Sequence, residues 1–344
     1  MWSVFKRVAR NTVYPPGATA CVMRCPQTPS RLRSSRIIAL CAALFIAAGL
    51  AQPVAALLTR HLDVCNSDWW EQLYARYVVD AFAPPASRVD IKKIARQQPA
   101  LVKAEVSRIA PQRKGVIDVY VIGIAGWADQ DVFIKELDGA LASLGNVLPI
   151  EHHTLRLINN RATSATVPLA TPRNFVAAVR AIAEIMDKNE DVLVLLMTSH
   201  GSRTGFALDL PDNEIGELTP QLVASTLHAQ GIKNRVVIVS ACYAGIFLPP
   251  LANENTIVMT AADAKSPSFG CAPERDWTYF GDAFFHQALV RGTDFQNAFD
   301  HARVLIHGWE LMDHLPPSHP QGAFGAALVA KLKPFFASAA GAEQ

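Results

Sequence analysis

Asp191–Gly245 decides the fold. It opens with the apolar run Val192-Leu193-Val194-Leu195-Leu196-Met197, which ends on Thr198-Ser199-His200-Gly201. A second run, Val236-Val237-Ile238-Val239, ends on Ser240-Ala241-Cys242-Tyr243-Ala244-Gly245. Each run has the length and β-branched content of a fully buried strand, and each carries a reactive side chain just past its C-terminal end. In open α/β sheets ligands gather at that edge, where the loops carry the chemistry. A His and a Cys delivered there can form a thiolate–imidazolium pair in which the imidazole takes the thiol proton and sulfur becomes the nucleophile. Gly201 lets a backbone approach closely, so its N–H, with that of Cys242, is placed to stabilise an oxyanion. The pattern is that of a cysteine peptidase site.

Outward from this stretch, strands and helices alternate. Strands are expected at Val116–Ile124, His153–Ile158 and Thr256–Ala261, with helices at Asp131–Leu144 and from Thr171-Pro172 to Asp187. A further helix opens at Thr219-Pro220. Threonine before proline is a helix start, with the Thr hydroxyl as cap and Pro fitting the first turn. Ser202–Glu217 reads as a short polar excursion, and two helices, about Tyr279–Arg291 and Phe295–Leu311, close the pattern. The apolar tail Ala323–Ala337 has room for one more short element. Such alternation predicts a largely parallel sheet covered on both faces.

Five segments follow: a basic leader at 1–36, an apolar segment at 37–58, an aromatic helix and linker at 59–87, the α/β domain at 88–332 and a tail at 333–344. Residues 1–36 hold seven Lys/Arg and no acid, so against a total of +2 the rest of the chain stands at −5. Ile37–Leu58 is 22 residues long, with an uninterrupted apolar part of 15, Ile37–Ala51. A basic head abutting an apolar run is a topology signal. It predicts a membrane anchor or a cleaved signal, with the α/β domain exported to the periplasm or cell exterior. Trp69, Trp70, Tyr74 and Tyr77 lie at helical spacing just beyond, suited to the membrane interface or to packing on the domain. No basic face with interleaved aromatics marks a nucleic-acid binder.

Six cysteines without a CxxC do not make a disulfide framework. Cys65 and Cys271 remain a candidate pair in an oxidising compartment. There is no HExxH, no GxSxG and only part of a Rossmann fingerprint after the strand ending at Ile124, so neither metal nor dinucleotide is expected. The chemistry implied needs no cofactor.

The SHG and SACYAG motifs, in His-before-Cys order, resemble the legumain-like (C13) cysteine peptidases, relatives of the caspases, and most closely their bacterial membrane-associated branch. Asp118–Gly126 (DVYVIGIAG), Thr171–Glu184 (TPRNFVAAVRAIAE) and Thr260–Asp282 (TAADAKSPSFGCAPERDWTYFGD) extend the resemblance over roughly 88–332. It implies a caspase-like three-layer α/β/α fold, a polypeptide substrate, Cys242 as nucleophile and His200 as base. It further implies that Asp282, in Tyr279-Phe280-Gly281-Asp282, and Ser268 help bind the P1 side chain. Two positions depart from the pattern. The Glu that precedes Ala-Cys in legumains is Ser240 here, which is kept as a substrate-binding candidate with Asp282 and Ser268, and the Asn and Arg after the first strand have no counterpart in Gly126–Glu136, where Asp131 is the nearest polar candidate. With the Arg lost and Asp282 kept, a basic P1 residue stands beside an Asn-like one, and Asp282 also reads as a helix-start acid favoured by the macrodipole. A transpeptidase using the same dyad and a non-catalytic scaffold are the alternative functions.

Overall fold

The computed structural model describes residues 91–210 and 213–340. The expected leader, membrane segment and aromatic helix all lie outside these residues, as does Cys65. Among the described residues no helix is long and apolar enough to cross a membrane.

The chain begins with α1 (Ile91–Val106) and then alternates: β1 (Val119–Ala125), α2 (Val132–Val147), β2 (Thr154–Ile158), α3 (Pro172–Ile185), β3 (Val192–Thr198). A hairpin, β4 (Phe206–Leu210) and β5 (Asn213–Leu218), precedes α4 (Pro220–Ala229) and β6 (Arg235–Ser240). A 3₁₀ turn (Ala244–Phe247) and the short α5 (Leu248–Leu251) lead to β7 (Thr256–Thr260). After a long loop come α6 (Tyr279–Gly281), a π-helical stretch (Asp282–Ala288), α7 (Phe295–Met312), β8 (Gln321–Phe324) and α8 (Ala326–Ala340).

Six strands form one sheet in the order β2-β1-β3-β6-β7-β8, all parallel except β8, which runs antiparallel to β7. The expected mostly parallel α/β architecture is therefore present. Every residue of β1, β3 and β7 is buried, as a sheet covered on both faces requires. The two-residue period of the strand divides those side chains between two cores. Val192, Val194, Leu196, Val236 and Ile238 face one core with Phe133 and Leu137 of α2, Phe299 of α7 and Leu328 of α8. Leu193, Leu195, Met197, Val237 and Val239 face the other with Phe175 and Val179 of α3 and Leu227 of α4. These are the three layers.

The two Thr-Pro starts behave as the sequence suggests. The Thr171 hydroxyl accepts from Asn174 N–H and the Thr219 hydroxyl from Leu222 N–H, each opening a helix with Pro in its first turn. Such a cap stabilises by about 1 kcal/mol.

Three features differ from expectation. The polar excursion is an antiparallel hairpin, with Phe206, Leu208 and Leu210 buried along β4; its Asp209 N–H donates to Gly126 O, bracing the loop after β1. The helix expected over Tyr279–Arg291 is one α-turn followed by a π-helix. The apolar C-terminal stretch supplies both the edge strand β8 and the 15-residue α8, which runs across the boundary placed at residue 333. Arg88–Gln344 forms one compact unit.

Candidate active site

The strand order reverses beside β1, which is paired with β2 on one side and β3 on the other. In doubly wound sheets a crevice opens at such a point, outside the carboxyl ends of the strands. Three loops meet there, following β1, β3 and β6. β3 and β6 are neighbours, with Thr198 opposite Ser240 at their last paired position. His200 and Cys242 each lie two residues beyond that pair, so sheet pairing delivers both to the same edge of the sheet.

Contact between the two loops is close. A Cβ at Gly201 would stand 2.1 Å from Cys242 O and 3.1 Å from Ala241 Cβ, so only glycine fits. Neither Gly201 N–H nor Cys242 N–H donates to another described residue; the bonds around Gly201 run from Ser202 N–H to Gly205 O and from Ala207 N–H to His200 O. Two backbone donors are thus left beside the thiol.

The sulfur is held by the loop that follows β7. Ser268 N–H donates to Cys242 Sγ at 3.2 Å, and Sγ lies 3.5 Å from Ser268 O and 3.7 Å from Ser268 Oγ. After Cys242 the chain turns sharply at Tyr243 (φ 56°), whose N–H donates to Ser266 O and whose ring receives the Arg203 guanidinium at 5.1 Å.

His200 is fixed by Gln130, on the loop after β1. Gln130 Nε2 donates to Cys271 O at 2.8 Å, and Oε1 lies 2.5 Å from His200 Nε2. A backbone carbonyl only accepts, which assigns the amide nitrogen to the Cys271 side and the oxygen to the His200 side. The proton of a neutral imidazole then sits on Nε2, and Nδ1 keeps the lone pair. Trp127 and Phe133 stand edge-on to the ring, with centroids at 4.8 and 5.1 Å. Burial pushes the His200 pKa down to about 4. At neutral pH the ring is uncharged. In this state His200 can accept a proton.

The other expected positions divide. Ser268 touches the thiol, whereas Ser240 is buried beneath it, with Oγ 3.2 Å from Thr278 Oγ1. Asp282 begins the π-helix. Its carboxylate accepts from His286 Nδ1 at 2.9 Å and Gln287 Nε2 at 3.0 Å, and His286 in turn stacks on Trp277. Asp131 accepts from Asn160 Nδ2 and so links two loops, while its neighbour Gln130 takes the place at the histidine. Cys271 forms no disulfide among the described residues, and its thiol pKa is raised by burial and then by the nearby Cys242 and Glu136. Among the described residues no group of His, Cys, Asp and Glu is arranged to hold a metal ion.

The site is thus a parallel α/β sheet with a histidine and a cysteine beyond the ends of adjacent strands. The comparison of families is more particular: the model described as the Peptidase C13 family matches residues 166–327, which include β3, His200, β6, Cys242 and the Ser268 loop. The resemblance to the legumain-like C13 cysteine peptidases is borne out over that span, and it supports a cysteine peptidase. Among solved structures, caspase-1 from Spodoptera frugiperda is similar at 12% identity and a TM-score of 0.43, over 63% of this chain and 90% of that one. No curated protein matches.

Proposed function

We propose that this protein is a cysteine endopeptidase that works through His200 and Cys242. The observation that carries the reading is the shared position of the two side chains beyond the Thr198–Ser240 pair, with free amides at Gly201 and Cys242 next to the thiol. His200 Nδ1 takes the thiol proton as Sγ attacks the scissile carbonyl carbon. The Gly201 and Cys242 N–H groups hold the oxyanion. As the C–N bond breaks, the imidazolium gives its proton to the leaving amine and a thioester remains. Water then attacks with His200 as base, releasing the carboxylic acid and restoring the thiol. Gln130 keeps the ring in the tautomer that leaves Nδ1 free.

The P1 side chain enters beside Ser268. A basic P1 residue needs Asp282 as its partner, and Asp282 is engaged by His286 and Gln287. This favours a neutral polar, Asn-like P1. The basic leader and the apolar segment 37–58 support a chain tethered to a membrane with the catalytic domain outside the cytoplasm.

The test is hydrolysis of a P1-varied peptide library by the full-length chain, with Cys242→Ala as control. Cleavage that the control lacks, strongest after a neutral polar residue, is the expected result. No cleavage, with Cys242 also inert to alkylation at neutral pH, would overturn the reading.

A further inference from the structure

Beneath the site lies an acid that the scheme above does not use. Glu136, in the second turn of α2, is fully buried. Its Oε1 accepts from the Thr198 hydroxyl at 2.8 Å and its Oε2 accepts from Thr278 N–H at 2.8 Å, and Ser240 is tied to it through Thr278. Thr278 closes this set: its Oγ1 lies 3.2 Å from Ser240 Oγ and accepts from Gly281 N–H at 3.0 Å. Gly281 leaves room for the carboxyl, since a Cβ there would stand 2.1 Å from Glu136 Oε2.

The three residues hold distinct positions. Thr198 is two residues before His200. Ser240 is two residues before Cys242, at the position where the C13 pattern has Glu. Thr278 ends the Ala261–Thr278 loop, whose Ser268 touches the Cys242 sulfur. One carboxyl therefore joins, directly or through Thr278, the three backbone segments that bear the base, the nucleophile and the wall beside the thiol. No lysine or arginine is among its partners. An ionised carboxylate so enclosed costs several kcal/mol unless a cation offsets it. Burial accordingly raises the Glu136 pKa, opposed only in part by its hydrogen bonds. A neutral acid satisfies the same partners, because its own proton goes to the Thr198 hydroxyl, which accepts as readily as it donates.

We infer that Glu136 is a positioning residue: an uncharged hydrogen-bonding hub that sets the spacing of His200, Cys242 and the Ser268 loop. Its effect on turnover rests on the peptidase reading; its effect on the thiol does not. The experiment uses the full-length chain carrying Glu136→Gln, Glu136→Leu or Thr198→Val. Three readouts are taken: kcat and KM on the best library peptide, the alkylation rate of Cys242 by iodoacetamide at pH 7, and the melting temperature.

Gln presents an oxygen to Thr278 N–H and an amide nitrogen to the Thr198 hydroxyl, so Glu136→Gln is expected to keep kcat within about threefold. Leu severs both bonds to the carboxyl and with them the path to Ser240. A misplacement of about 1 Å costs about 100-fold, so folded Glu136→Leu is expected to lose about that much kcat while KM changes little. Its alkylation slows about tenfold, because His200 no longer lies where it takes the thiol proton. Thr198→Val, which removes one link and keeps the shape, is expected to lose about tenfold in kcat.

Wild-type kcat and alkylation in a folded Glu136→Leu would overturn the inference. So would a Glu136→Gln as impaired as Glu136→Leu, since charge would then be the working feature. If Glu136→Leu fails to fold, an unimpaired Thr198→Val overturns it. If the wild type cleaves no peptide yet its Cys242 alkylates faster than that of folded Glu136→Leu, the peptidase reading falls and the hub stands.

Discussion

Replacing Gln130 tests how the histidine is made into a base. In the structure its amide accepts from His200 Nε2–H and donates to Cys271 O, which pins both tautomer and ring. Leucine at this position removes the acceptor and leaves a partly buried N–H without a partner, a cost of about 1–3 kcal/mol. The ring can avoid that cost by rotating or changing tautomer, and either move withdraws the Nδ1 lone pair from the thiol. At 1.4 kcal/mol per factor of ten, kcat/KM for Gln130→Leu should fall about 10- to 100-fold, with the protein still folded. Glutamate makes the opposite electrical change. A carboxylate touching the ring favours imidazolium, and a neighbouring anion typically raises a histidine pKa by about 1–3 units.

The assay is the pH dependence of kcat/KM, whose acid limb reports the base of the free enzyme. In the wild type, His200 is unprotonated above about pH 4, and the limb should lie near that value. In Gln130→Glu it should move upward by at least one unit. Wild-type kcat/KM in Gln130→Leu, or an unmoved limb in Gln130→Glu, would refute the argument that this amide orients and tunes the base.

Other outcomes follow from single contacts. His200 has a folded-state pKa of about 4, below its unfolded value of 6.5, so the unfolded chain binds more protons between the two. Stability therefore rises with pH across that window, by on the order of 3 kcal/mol, and denaturant titrations of His200→Gln should show that part of the slope removed. Gly201→Ala places a methyl against Cys242 O and should cost about 1–3 kcal/mol and most peptidase activity, read by melting and by initial rates. Thr171→Ala removes a helix cap remote from the thiol; it should cost about 1 kcal/mol and leave kcat unchanged. Asp282→Ala should leave the ranking of P1 residues unchanged in the library assay, because the carboxylate already serves His286 and Gln287.

Much of this arrangement is legible in the sequence where a physical signal is local. Buried strands show as unbroken apolar runs, so β3 and β6, and with them His200 and Cys242, can be read directly. Thr-Pro marks two helix starts by a hydrogen bond made within four residues. The rest depends on partners distant in the chain. Gln130 carries no signal of its own, since an amide after a strand becomes an orienting group only when Cys271 and His200 arrive from 141 and 70 residues away. Glu136 lies among Phe133, Leu137 and Ala140 on the apolar face of α2, and an acid on that face was the available clue. The hairpin is hard to read because Ala207 and Asp209 alternate with Phe206, Leu208 and Leu210 over only five residues. The π-helix has no compositional mark that separates it from an α-helix of the same apolar residues.

The matched ends of β3 and β6 have one more consequence. Since His200 and Cys242 stand at equal distances past a paired position, their separation is metered by the hydrogen-bond ladder between two backbones and not by the side chains around them. A substitution such as Cys242→Ser would thus change the reactivity of the attacking atom while leaving it on the same ruler. A one-residue slip between β3 and β6 would turn every core side chain of the moving strand to the opposite face. The cost of unpacking the interior is what keeps the two reacting groups in step.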